Sequence, residues 1–128
     1  MQARMDLLKE NYGQEEINKI ALPMNDGLLF VDVREIILLE ADGSYTHVFL
    51  KNSSKVLVSK KIKFFEDLLE KRPTFFRPHR SFMINLNFMK KYLKGEGVIV
   101  MDNLVEVSLS RDKMAEFESA LKDFNFIQ

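Results

Sequence analysis

A chain of 128 residues, 46% hydrophobic and 30% charged, is long enough for one domain with a real core, and its composition is that of a globular rather than a disordered protein. It contains no cysteine, which excludes a disulfide scaffold and any cysteine-based zinc finger. The formal net charge is zero, and no apolar run approaches the roughly 20 residues of a membrane span.

In chain order, Met5, Leu8 and Tyr12 recur at helical spacing before Gly13, so residues 1–18 are expected to be a linker with a short N-terminal helix and residues 19–128 the domain proper. Met1 to Tyr12 lacks the apolar centre of a signal peptide, which fits a cytoplasmic protein. From Ile20 to Val58 the pattern is that of strands. Leu28–Val31, Ile36–Leu39, Tyr45–Leu50 and Lys55–Val58 are separated by turn formers at Asp42-Gly43-Ser44 and Asn52-Ser53-Ser54. Ser59 is expected to cap a helix from Lys60 to about Glu70, with Ile62, Phe65 and Leu69 on its apolar face. Phe82-Met83-Ile84 reads as a strand and Asn85–Tyr92 as a turn or short helical bend. Val98–Met101 and Leu104–Leu109 form a hairpin around Asp102-Asn103, opened by Gly95-Glu96-Gly97. Ser110 is expected to cap a last helix carrying Met114, Phe117, Leu121 and Phe124.

Charge is unevenly spread along this order. Lys60 to Lys94 hold ten Lys/Arg against three Asp/Glu, a net of +7, while residues 1–59 and 95–128 carry −3 and −4. Such a domain presents one positive face, and the local field governs contact with phosphate. Within that block lies Phe75-Phe76-Arg77-Pro78-His79-Arg80-Ser81-Phe82-Met83-Ile84-Asn85-Leu86, where cations sit between aromatics on a stiffened backbone. The strand-like neighbours of the aromatics favour burial over base stacking.

The chemistry-bearing residues assemble no catalytic pattern. His47 and His79 lack metal-ligand spacing, and neither G-x-x-x-x-G-K-[ST] nor G-x-G-x-x-G occurs. The sequence therefore points away from an enzyme, a metal site and a bound cofactor.

The order of strands, the turn Glu40-Ala41-Asp42-Gly43-Ser44-Tyr45, the run F-x-R-x-H-R-S-F-x-I-N from Phe75 to Asn85, and Val107-Ser108-Leu109-Ser110-Arg111 together resemble the LytTR DNA-binding domain. That family supplies the effector half of many bacterial response regulators, and the likeness extends from Ile20 to Phe124. It implies a mostly β (α+β) fold of short antiparallel sheets stacked in an elongated body with small peripheral helices. It also implies that loops between strands reach successive major grooves on one face of a duplex.

Carried onto this chain, the resemblance gives three contact regions: the Asp42 turn with Gly43, Ser44 and Tyr45; Arg80 with Ser81; and Arg111 with Ser110 and Lys113. Arg80 suits a bidentate bond to guanine or a phosphate clamp; otherwise it is a surface arginine paired with an acid. Arg111 at a helix start suits an anion, or else pairs with Asp112 or Glu116. Tyr45 either meets sugar and phosphate or covers the sheet. Arg77 and His79 either touch phosphate or brace the loop. Lys60, Lys61 and Lys90, with Lys91 and Lys94, read as non-specific phosphate contacts.

The expected function is sequence-specific duplex-DNA binding by a bacterial two-component transcription regulator, acting on promoter repeats, with a homodimer on DNA among the partners. Its regulation would come from a receiver domain, absent from this chain, and that receiver's histidine kinase. Two rivals stand: a single-stranded nucleic-acid or RNA-binding β module, and a protein-interaction module without DNA readout.

Overall fold

The structure, a computed structural model, describes residues 18–124 and residue 126; the helix expected within residues 1–12 lies outside them. Among the described residues, ten strands form three antiparallel sheets. Strands β1 (Lys19–Met24) and β2 (Gly27–Asp32) make a hairpin, followed by β3 (Ile36–Asp42), β4 (Tyr45–Leu50) and β5 (Lys55–Val58). Helix α1 (Ile62–Leu69) leads to β6 (Phe75–His79) and β7 (Phe82–Asn85). Then come β8 (Met89–Leu93), β9 (Val98–Met101), β10 (Glu106–Ser108) and helix α2 (Met114–Asp123). The central sheet runs β5-β4-β3-β7-β6, and the third runs β10-β9-β8. The expected mostly β architecture of stacked short sheets is the one observed.

Two apolar layers sandwich the central sheet. On one face Val31, Ile36, Leu39, Val48 and Met83 pack with Ile62, Phe65 and Leu69 of α1. On the other, Ile37, Leu38 and Ile84 meet Ile99, Met101 and Val107 of the third sheet and Phe117 and Leu121 of α2. Strand β3 therefore reads as an unbroken apolar run, as strands buried on both faces do. Strict alternation would put Ile36 and Leu38 on one face. The register shift against β4 between these two residues breaks it, so that adjacent Ile37 and Leu38 both serve the second core.

The same ladders fix what lies at the ends of the strands. The pairs Ala41↔Thr46, Thr46↔Val58, Glu40↔Phe82 and His79↔Phe82 bring the end of β5, the β3–β4 turn and the β6–β7 turn onto one rim of the central sheet. The opposite rim is closed by the buried Asn85, whose amide donates to the Ile36 carbonyl at 3.0 Å and whose oxygen accepts from the Asn87 N–H at 3.0 Å.

Three local expectations differ from the structure. Ser59 does not cap the first helix: α1 starts at Ile62, and its cap position, Lys61, makes no side-chain bond. The reason lies in β4, where the buried Thr46 hydroxyl donates to the Lys60 carbonyl at 2.7 Å and holds the bend at residues 59–60 against the rim, with Lys61 extended before the helix. Ser110 does not cap a helix through its side chain either. It precedes a 3-10 turn, Arg111–Lys113, without a side-chain bond, and its backbone N–H donates to the Pro78 carbonyl at 2.9 Å. The segment after Asn85 is a 3-10 turn only over Leu86–Phe88. Met89–Leu93 is then recruited as a strand by β9, a tertiary pairing that local propensity does not reveal.

Phe117 is fully buried, with Tyr92 and Phe76 rings at 4.9 Å and 5.6 Å. Phe117→Ala is expected to lower unfolding free energy by about 3–5 kcal/mol in urea titration. Thr46→Val keeps shape and removes one buried donor. It should cost about 1–2 kcal/mol and speed amide hydrogen exchange in residues 59–61, while exchange in the third sheet stays unchanged.

Candidate nucleic-acid interface

Three segments meet on the rim defined by Ala41, Thr46 and Phe82. The β3–β4 turn is a two-residue connection, Gly43-Ser44, between the paired Asp42 and Tyr45. Gly43 has φ +61°, a left-handed conformation that favours glycine, and the turn is exposed through Tyr45. The His47 Nε2 lies 2.9 Å from the Asp42 carboxylate and fixes the near side of this turn.

The β6–β7 turn, Arg80-Ser81, is tied to that first segment and braced within itself. The Ala41 N–H donates to the Ser81 carbonyl at 2.8 Å. The Ser81 N–H donates to His79 Nδ1 at 3.1 Å. That acceptor role places the proton of a neutral ring on Nε2. The His79 ring also packs on Phe82 at 6.0 Å. Arg77 donates from Nη2 to the Arg80 carbonyl at 2.7 Å and from Nη1 to Glu66 Oε1 at 2.8 Å. The alternatives open in the sequence for Arg77 and His79 thus have a structural side: both hold the loop. Arg77 is 20% exposed at its side chain.

The third segment, Ser110–Lys113, is fastened to the second by the Ser110–Pro78 backbone bond. Arg77, His79 and Arg80 on one side and Ser110, Asp112 and Lys113 on the other line a cleft of about 570 Å³, with Glu66 at its wall.

Charge on the rim is decided by pairing. Arg77 is neutralised by Glu66, Lys63 pairs with Glu66 and Asp67, and Lys113 lies 3.6 Å from Glu116. Arg80 and Arg111 are exposed, and among the described residues neither guanidinium has a hydrogen-bond or ion-pair partner. The acid pairing considered for Arg111 falls to Lys113 instead. Lys60 and Lys61 are exposed beside the rim, Lys60 with its ammonium 5.3 Å from the Phe64 ring centre. Lys90 is not brought to this place. It follows Met89 at the start of β8, in a different sheet, after the chain has left the opposite rim through Asn85. Lys94, also in the basic block, pairs with Glu118.

The aromatics of the block are packing groups. Phe75 covers the first core, and Phe76 and Phe82 cover the second. Two residues that matter to the site, Thr46 and Glu66, carried no sequence signal. Their partners lie 14 and 11 positions away, and only the sheet order brings them together.

Comparison with known proteins agrees with this geometry. The family of LytTr DNA-binding domains matches residues 26–122. The transcriptional regulatory protein YpdB of Escherichia coli O6:H1 (strain CFT073) is 28% identical over 110 residues, covering 83% of this chain and 44% of that protein. The chain therefore spans under half the length of this curated relative. Among solved structures, the LytTr DNA-binding domain of a protein named as a methyl-accepting/DNA response regulator from Bacillus cereus superposes with a TM-score of 0.68. It is 28% identical and covers 83% of this chain and 98% of that one. The chain belongs to the LytTR family of DNA-binding domains.

Proposed function

We propose that this domain binds duplex DNA sequence-specifically, as the effector part of a bacterial transcription regulator, with the rim of the central sheet as its reading surface. The observation that carries this is the pair of exposed guanidiniums, Arg80 and Arg111, unpaired among the described residues, in segments joined by the Ser110–Pro78 backbone bond. Guanidiniums with no acid partner are available for guanine O6 and N7 or for phosphate.

Four strand spacings make the rim about 19 Å wide, enough to cover one major groove of roughly 12 Å and the phosphates that flank it. In this reading Arg80, Arg111 and the Gly43-Ser44-Tyr45 turn address bases. Ser81, Ser110, Lys113, Lys60 and Lys61 contact phosphate, with His79 Nε2–H as a further donor. Lys90 lies away from the rim and contributes at most to the general field. Packing of Phe75, Phe76 and Phe82 against the cores takes away the stacking platform that a single-strand binder needs.

The names of the two relatives, a transcriptional regulatory protein and a response regulator, support the regulator part of this reading; a cytoplasmic setting, control by a receiver domain and its histidine kinase, and two copies on promoter repeats are parts of the proposal that go beyond those names. No catalytic step belongs to this reading.

The test is equilibrium binding to a duplex selected from a random library and to a scrambled duplex, each at several salt concentrations. Arg80→Ala and Arg111→Ala should each cost about 1–3 kcal/mol on the selected duplex and relax preference at one base position. Lys60→Ala and Lys61→Ala should weaken both duplexes alike and reduce the salt slope by about one each. Arginine variants that bind with wild-type preference would sink the assignment.

A further inference from the structure

We infer that Glu66, an acidic residue on α1, is a positioning residue for DNA readout: through Arg77 it fixes the backbone of Arg80 and so the direction in which the Arg80 side chain leaves the rim. This rests on the DNA-binding reading above and assigns a role within it to a residue that does not itself touch DNA.

The inference follows from how the β6–β7 turn is held. The turn is closed by the pair His79↔Phe82, but the ladder behind that pair is irregular from Phe76 to His79, so a single cross-strand pair supports it. Its polar backbone groups have further individual partners. The Ser81 carbonyl accepts from Ala41, and the Ser81 N–H is taken by His79. The Arg80 carbonyl is held by Arg77 Nη2 at 2.7 Å. Arg77 in turn is oriented by Glu66 Oε1 at 2.8 Å on Nη1, while its Nε is buried and has no partner among the described residues. The two Nη groups therefore do all the holding, one on the helix and one on the turn. A planar fork spans two acceptors in fixed directions, which a lysine ammonium does not. Both side chains of the Glu66–Arg77 pair are mostly shielded, at 33% and 20% exposure, so solvent screens the pair less than the open Lys63–Asp67 pair one turn away.

An acid in the wall of a cationic cleft gives the idea a sharp sign. If Glu66 merely opposed phosphate, its neutralisation would tighten all DNA binding. If it positions Arg80, neutralisation weakens the selected sequence while leaving or improving the scrambled one.

The experiment uses the full chain as wild type, Glu66→Gln, Asp67→Asn, Arg77→Lys, Arg80→Ala and the Glu66→Gln/Arg80→Ala double variant. Each is measured on the selected and scrambled duplexes after a thermal melt. Glu66→Gln should bind the selected duplex about tenfold more weakly, the loss of roughly one base contact, with the scrambled duplex bound as well or better. Arg77→Lys, which keeps the charge, should show the same fall in preference. Asp67→Asn should leave the preference unchanged, and Glu66→Gln should add no further loss of preference once Arg80 is alanine. Equal effects of Glu66→Gln on both duplexes, or a further tenfold loss in the Arg80→Ala background, would overturn the role of Glu66 while leaving DNA binding intact. A wild-type chain that does not distinguish the duplexes overturns both.

Discussion

Burial of β3 on both faces governs this molecule. Ile36, Ile37, Leu38 and Leu39 are all within the cores, which requires α1 and the β1–β2 hairpin on one side and the third sheet with α2 on the other. Once both faces of the central sheet are covered, they offer no surface to a polymer. Polar chemistry is left to the ends of the strands, where turns emerge and backbone groups need individual partners. The shift of register within β3 serves the same arrangement, because without it adjacent Ile37 and Leu38 would not both reach the second core.

A neutral chain acquires a positive rim by selective pairing rather than by excess. Glu66, Asp67, Glu116 and Glu118 take up Lys63, Arg77, Lys113 and Lys94. Among the described residues, the Arg80 and Arg111 guanidiniums are left with their donors open. The paired cations are not idle: Arg77 bridges helix and turn, so one ion pair neutralises charge and sets geometry at once. A rim built this way separates attraction from recognition. In the proposed reading, exposed lysines supply the sequence-independent pull on phosphate, and Arg80 and Arg111 supply direction.

Much of this was legible in the chain. Apolar runs bounded by turn formers located most of the strands, and the block from Phe75 to Asn85 pointed to the loop now seen at the centre of the rim. The misreadings have a common cause. Ser59 and Ser110 are residue types that cap helices, and each stands just before one. In each place a distant partner competes: the Thr46 hydroxyl holds the Lys60 carbonyl in a non-helical bend, and the Pro78 carbonyl takes the backbone N–H of Ser110. β8 was missed because MKKYL carries no alternation of its own and becomes a strand only through β9.

The sequence by itself determined the class of fold and the family, and singled out the two arginines of the proposed reading, because hydrophobic period, turn chemistry and a local motif are properties of neighbouring residues. Only the tertiary structure decided which cations stay free, that Lys90 stands apart from the rim, and that Arg77 and His79 brace the turn they belong to. Those outcomes depend on which acids, carbonyls and hydroxyls arrive from other strands and from α1, and that is set by sheet order and register rather than by any stretch of the chain read alone.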